Sequence, residues 1–187
     1  MTTVSKQVNG IDVQQLQQTI GAIEERPELS RFTFRAKSGW TGGTRSRTTV
    51  QGFYGAGQED DSRARPLEME GDEPPVLLGT NAAPNAVEAI LHALASCLSV
   101  GFVVNAAARG IEVESLDFDL EGELDLQSFL GLSHDARPGY GGIDVRYRVR
   151  ADAPREQIEE LCSYVQRTSP VMDVLTNPVP VRVRLED

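Results

Sequence analysis

Cysteine and histidine are scarce. The 187-residue chain has two of each: Cys97 and Cys162, His92 and His134. Two thiols outside any C-x-x-C pair build neither a secreted disulfide scaffold nor a zinc site, and separated histidines form no metal cluster. No metal or cofactor is expected, and unpaired thiols predict a reducing cytoplasm. Positive charge is also short, with 18 Lys and Arg against 28 Asp and Glu, a formal net charge of −10. Nucleic acid and anionic membrane both attract basic surfaces, so neither is an expected partner. Met1 to Asn9 are polar, with no apolar h-region, and no signal peptide is expected. From Ala89 to Ala108 the chain lacks Asp, Glu, Lys and Arg over the length of a membrane span. That stretch is nevertheless rich in Ala and Gly and includes His92, Ser96, Ser99 and Asn105, so it reads as a helix buried in a soluble protein.

What is present is an ordinary globular balance, 40% apolar and 25% charged, at a length that buries a core without staples. Ile11 to Glu25 carries an apolar stripe closed by Pro27, a helix expected within an N-terminal appendage over residues 1–30, with the main domain at 31–187. Arg31 to Ala36 and Arg45 to Tyr54 read as strands around a turn built on Gly39, Gly42 and Gly43. Val76 to Leu78 is a short apolar strand or loop. Asn85 with Glu88 three residues later is a capping box, and Gly110 a C-cap, so a long helix runs between them.

The second half alternates with period two. Leu116 to Leu126 sets an apolar face against an acidic one, whereas Ile143 to Arg150 and Val179 to Glu186 set apolar faces against arginines. Opposite charges favour pairing the acidic strand with an arginine strand, and the first of the two is expected to be its antiparallel neighbour. Ala153 to Arg167 is a second helix with Cys162 on its apolar stripe, followed by a further turn at Val171 to Leu175. Strands, a buried helix, strands, a helix and a strand make an α+β chain with mostly antiparallel sheets.

Cys97, midway along the uncharged helix, is the leading chemical candidate. A reactive thiolate needs a cation or a helix N-terminus nearby, and this helix offers no basic residue between Cys97 and Arg109. His92, five residues before Cys97, lies off its face and reads as a core or interface histidine, while His134 sits in a surface loop. Trp40 and Tyr140 suit either a pocket wall or local packing.

Asn85-Ala86-Val87-Glu88-Ala89-Ile90-Leu91-His92-Ala93-Leu94-Ala95-Ser96-Cys97-Leu98 resembles the central helix of the OsmC/Ohr family of osmotically induced and organic hydroperoxide resistance proteins. Ser169-Pro170-Val171-Met172-Asp173-Val174-Leu175 resembles its second motif, and Gly39-Trp40-Thr41-Gly42-Gly43 its N-terminal hairpin turn; the likeness runs from about Phe32 to Glu186. It implies an intertwined homodimer whose sheets enclose a long buried central helix. It also implies a peroxidatic Cys, here Cys97, and an activating Arg, here Arg45 or next Arg47. The family's resolving Cys is replaced by Ser169, and Val87 stands where its supporting carboxylate would be. Glu88, nine residues before Cys97, faces the opposite side of the helix at about 100° per residue. The resemblance thus implies a one-cysteine relative of thiol-dependent hydroperoxide reductases, with a small organic hydroperoxide as substrate and an external thiol as reductant. The alternative is a non-catalytic module binding an apolar small molecule in the dimer-interface pocket.

Overall fold

The computed structural model describes residues 7–186; residues 1–6, inside the expected appendage, and residue 187 lie outside the described residues. In chain order the first elements are β1 (Gln7–Val8), β2 (Ile11–Asp12), α1 (Val13–Glu25), β3 (Thr33–Phe34), β4 (Lys37–Gly42), β5 (Arg45–Val50), β6 (Phe53–Gly55), β7 (Gln58–Asp60) and β8 (Leu67–Gly71). Then follow α2 (Ala86–Ala108), β9 (Val113–Gly122), β10 (Ile143–Ala151), α3 (Arg155–Thr168) and α4 (Pro170–Thr176). The contacts divide the chain into two units, one over Asp12–Ile90 and one over Gln7–Ile11 with Leu91–Asp187.

In the first unit, the Asp12 carboxylate caps α1 by accepting the Gln15 N–H at 3.0 Å. The strands form two three-stranded antiparallel sheets, ordered β3-β6-β7 and β4-β5-β8. The single strand expected over Arg45 to Tyr54 is therefore two. The chain leaves one sheet for the other at Gly52, where a Cβ would stand 2.6 Å from the Asp61 carboxylate. Val76 to Leu78 is no strand: Pro75–Leu77 form a 3-10 turn and Leu78 adopts the left-handed region. The segment around it is organised by Asp72, whose buried carboxylate accepts from the hydroxyls of Thr44 and Thr80, both at 2.6 Å, and from the N–H groups of Glu73, Thr80 and Ala82. These donors favour the ionised form and hold the carboxyl far below its usual range. Asn85 and Glu88 close the expected capping box: the Asn85 side chain accepts the Glu88 N–H at 2.9 Å and the Glu88 carboxylate accepts the Asn85 N–H at 2.8 Å.

The second unit holds the core. Leu94, Leu98, Phe102 and Ala106 recur every four residues along α2, one stripe, and pack with Leu161 and Val165 of α3 and the inner faces of β9 and β10. Although α2 is long and apolar enough to cross a membrane, this stripe is its buried side; Val100 on another face is 61% exposed. The helix ends at Gly110, φ +72°, as its C-cap position requires. β9 and β10 pair antiparallel, with Arg146 opposite Asp119 and Arg148 opposite Asp117. The ion pairs run diagonally, Arg148 to Asp119 and Arg146 to Glu121, and are solvent-exposed. β9 stops at Gly122, short of the expected Leu126, because Tyr140 packs over that glycine and Asp125 starts a turn by accepting the Gln127 N–H. Asn9 ties the β1–β2 hairpin to this unit: its amide donates to Ile111 O at 2.9 Å and accepts the Val113 N–H at 2.8 Å.

The strand expected over Val179 to Glu186 is not formed. The segment follows α4 without regular structure, and Val183 and Leu185 are 90% and 99% exposed. Alternation makes a strand possible, but a strand exists only when another edge supplies its hydrogen bonds.

Candidate active site

Cys97 lies one residue from the buried stripe of α2, is itself half-buried, and lines a cavity of about 790 Å³. Ala93, Ser96, Val100 and Gly101 continue the α2 wall, and Tyr164, Val165, Thr168, Ser169, Pro170 and Val171 form the facing one. The two walls come close at Gly101, where a Cβ would stand 3.0 Å from the Val165 side chain. Glycine there lets α3 approach the turn of α2 that follows Cys97.

Ser169 ends α3 and caps α4. Its hydroxyl oxygen accepts the Met172 N–H at 3.1 Å, the usual role of serine at this position. The same hydroxyl donates to Cys97 Sγ at 3.1 Å. Two residues 72 apart in sequence thus meet in one part-buried contact, Ser169 being only 5% exposed. Cys162 stands apart from this contact. It packs against the core on α3, and burial pushes its thiol up. Both cysteines are free.

Arg45 belongs to the first unit, where it lines a cavity of about 150 Å³ with Arg47, Glu70 and Asp72. Arg47 pairs with Glu70 at 2.9 Å. Arg45 enters no ion pair among the described residues. Among the described residues of the second unit, none that lines the Cys97 cavity is a lysine or arginine. Val87 occupies the first turn of α2. Glu88 is engaged in the capping box. His92, placed off the Cys97 face by helical geometry, nonetheless lines the same cavity, which is wide enough to span both faces. Trp40 is 78% exposed and bonds its own hairpin turn, donating to Gly43 O at 2.9 Å. His134 is exposed in its loop. Sequence reasoning missed Tyr164, Thr168 and Asn105 as cavity residues. Tyr164 is backed by Arg109, whose guanidinium lies 5.3 Å from its ring centre. Among the described residues, no three His, Cys, Asp or Glu side chains gather as metal ligands.

The family model described as OsmC-like protein matches residues 79–184, more than half of the chain. Solved structures share the fold. An OsmC-like protein from Mycoplasma pneumoniae superposes with a TM-score of 0.58 at 15% identity, covering 78% of this chain and 89% of that one. An organic hydroperoxide resistance protein from Elizabethkingia anophelis gives 0.53 at 14% identity, covering 80% and 91%. One from Legionella pneumophila, also described as a predicted redox protein, gives 0.52 at 16%, covering 78% and 90%. No curated protein matches the chain.

Proposed function

The chain belongs to the OsmC-like family, and on that premise we propose that it reduces small organic hydroperoxides through Cys97 as a one-cysteine, thiol-dependent peroxidase. The observation that carries this reading is Cys97 lining a cavity, its sulfur in contact with Ser169 where a second thiol would otherwise stand. The Cys97 thiolate attacks the outer peroxide oxygen. An S–O bond forms, the O–O bond breaks, and the alkoxide takes a proton from solvent to leave as an alcohol. Cys97 is then a sulfenic acid. Ser169 has no sulfur with which to close a disulfide, so an external thiol attacks, releasing water and leaving a mixed disulfide; a second thiol frees Cys97. The balance is one hydroperoxide and two thiols to one alcohol, one water and one disulfide. Need for a thiol reductant matches a reducing cytoplasm.

Arg45 is the proposed activating cation. Arg47 is already paired with Glu70, which leaves Arg45 the freer of the two. A homodimer is part of the reading. Val179, Val181, Val183 and Leu185 are exposed along a segment whose alternation suits a strand, and Val100 is exposed on the helix that carries Cys97. A second copy would cover these apolar side chains. Residues 1–30 are proposed to form an appendage to the family domain.

The test is consumption of an organic hydroperoxide with a small thiol or a dithiol as reductant, against Cys97→Ser. Turnover that disappears in the variant supports the enzyme; turnover equal in both refutes it. Ser169→Cys should convert the oxidised product into a disulfide between Cys97 and the introduced thiol, seen by mass spectrometry. One observation favours the second reading, a non-catalytic module that binds an apolar small molecule: Ala93, Val100, Gly101, Val165, Pro170 and Val171 give the Cys97 cavity a largely apolar lining. Absence of turnover together with saturable binding of an apolar fluorescent probe would establish it. Sedimentation at micromolar concentration should show a dimer.

A further inference from the structure

We propose that Ser169 assists the activation of Cys97 in addition to the cation proposed above, acting as a fixed hydrogen-bond donor to its thiolate; the proposal rests on the reading of Cys97 as the nucleophile. A serine hydroxyl carries one hydrogen and two lone pairs. The Met172 N–H, at 3.1 Å, occupies one lone pair and holds the oxygen in place at the head of α4. The oxygen stands 3.1 Å from Cys97 Sγ. With the α4 cap made, one hydrogen and one lone pair remain, and a thiolate sulfur, which carries no hydrogen, can engage only the hydrogen.

The direction of that bond decides its chemical effect. A thiolate has no hydrogen, so in the ionised state Ser169 must be the donor, and a bond to a charged acceptor is roughly twice as strong as a neutral one. In the thiol state the same contact joins two neutral groups, with sulfur a weak partner in either direction. The contact therefore favours the thiolate. Ser169 is 5% exposed, so water competes little for the hydroxyl. The serine thus carries two consequences at once. It leaves the oxidised sulfur to an external thiol, and it prepares the reduced sulfur for attack.

The experiment needs no hydroperoxide. Both thiols are alkylated with iodoacetamide at neutral pH in the full-length protein, and their rates are read separately by peptide mass spectrometry, with Cys162 as internal reference. Loss of one charge-assisted bond should deplete the Cys97 thiolate about tenfold. The thiolate that remains is more nucleophilic, with a Brønsted coefficient of about 0.4–0.5, so the labelling rate should fall about threefold relative to Cys162. Ser169→Ala is the direct variant, and Ser169→Thr, which keeps both bonds, should restore the wild-type ratio. Ser169→Ala also removes the α4 cap. Should it open the fold and speed Cys162 labelling, Ser169→Gly decides, because glycine at an N-cap costs only a few tenths of a kcal/mol. A Cys97 to Cys162 ratio unchanged or raised in a folded Ala or Gly variant overturns the proposal, as does a Thr variant as slow as Ala. A wild-type chain whose Cys97 labelling depends on Ser169 but which consumes no hydroperoxide would sink the peroxidase reading alone. Turnover with labelling indifferent to Ser169 would sink this one alone.

Discussion

The two units stand on different physical footings. Every buried apolar side chain among the described residues belongs to the second: Val8, Leu94, Leu98, Phe102, Ala106, Ala107, Ile111, Leu161 and Val165. In the first unit the one buried side chain with functional groups is Asp72, and large apolar residues such as Phe34, Leu67 and Met69 remain more than half exposed. Its order rests on sheet pairing, on the stacking of Phe32, Phe34 and Phe53, and on the hydrogen bonds that converge on Asp72. A packed core supplies the larger free energy, because each buried side chain gains both transfer and dispersion energy. Polar networks in a thin layer supply geometry at lower stability. The cavity with Cys97 is built on the firmer unit, which holds the sulfur and the Ser169 hydroxyl on α2 and at the junction of α3 and α4.

Three measurements sharpen or break this contrast. Leu161→Ala empties a site with no exposed surface in the core and should cost about 2–5 kcal/mol in denaturant unfolding. Leu67→Ala, at a half-exposed sheet position, should stay within about 0.5 kcal/mol. Equal costs would mean that the first sheet is covered as fully as the core. The next effect has the opposite sign. The Tyr147 hydroxyl is buried without a hydrogen-bond partner among the described residues, and burial, then the nearby Cys162 charge, push it up to about 12. Tyr147→Phe removes that unpaired group while keeping the ring on Phe118, so stability should rise by about 1 kcal/mol. A loss would show that the hydroxyl has a partner in solution.

The smallest effect is local and depends on pH. The Asp72 carboxyl titrates lower in the folded chain than unfolded, so its contribution is complete above the usual aspartate value, about 3.9, and is lost as pH falls from there through the depressed folded value. The amides of Thr80 and Ala82 should exchange faster as the pH drops through that range, after correction for intrinsic exchange rates. Asp72→Asn should abolish this pH dependence. Acid-induced opening that begins in β9 and β10 instead would reverse the ranking of the two units.

Much of the second unit was legible because periodicity carries physical information. The alternation and opposite outer charges narrowed the partner of the acidic strand to two arginine-faced segments, and the expected one of the two, Ile143–Ala151, is the one that pairs. They did not specify that Arg148 reaches diagonally to Asp119, since that depends on sheet twist. The caps of α2 were equally plain, because Asn85, Glu88 and Gly110 act on their own neighbours in sequence. Asp72 was not legible. An aspartate in an acidic, polar stretch looks solvated until Thr44 and Thr80 are folded onto it.

The candidate site divides along the same line. The sequence by itself determined that Cys97 lies in the uncharged stretch Ala89 to Ala108, that serine occupies position 169, and that Val179 to Leu185 alternates as a strand would. Those are properties of residue type and spacing. Only the tertiary structure decided that the Ser169 hydroxyl lies 3.1 Å from the sulfur, that His92 shares the cavity with Cys97, and that the alternating tail finds no edge among the described residues. The reason is that a hydrogen bond between side chains 72 residues apart, the shape of a cavity and the pairing of a strand all require a partner surface. A local pattern can permit that surface, but only the packing of α2 against α3 and α4 positions it.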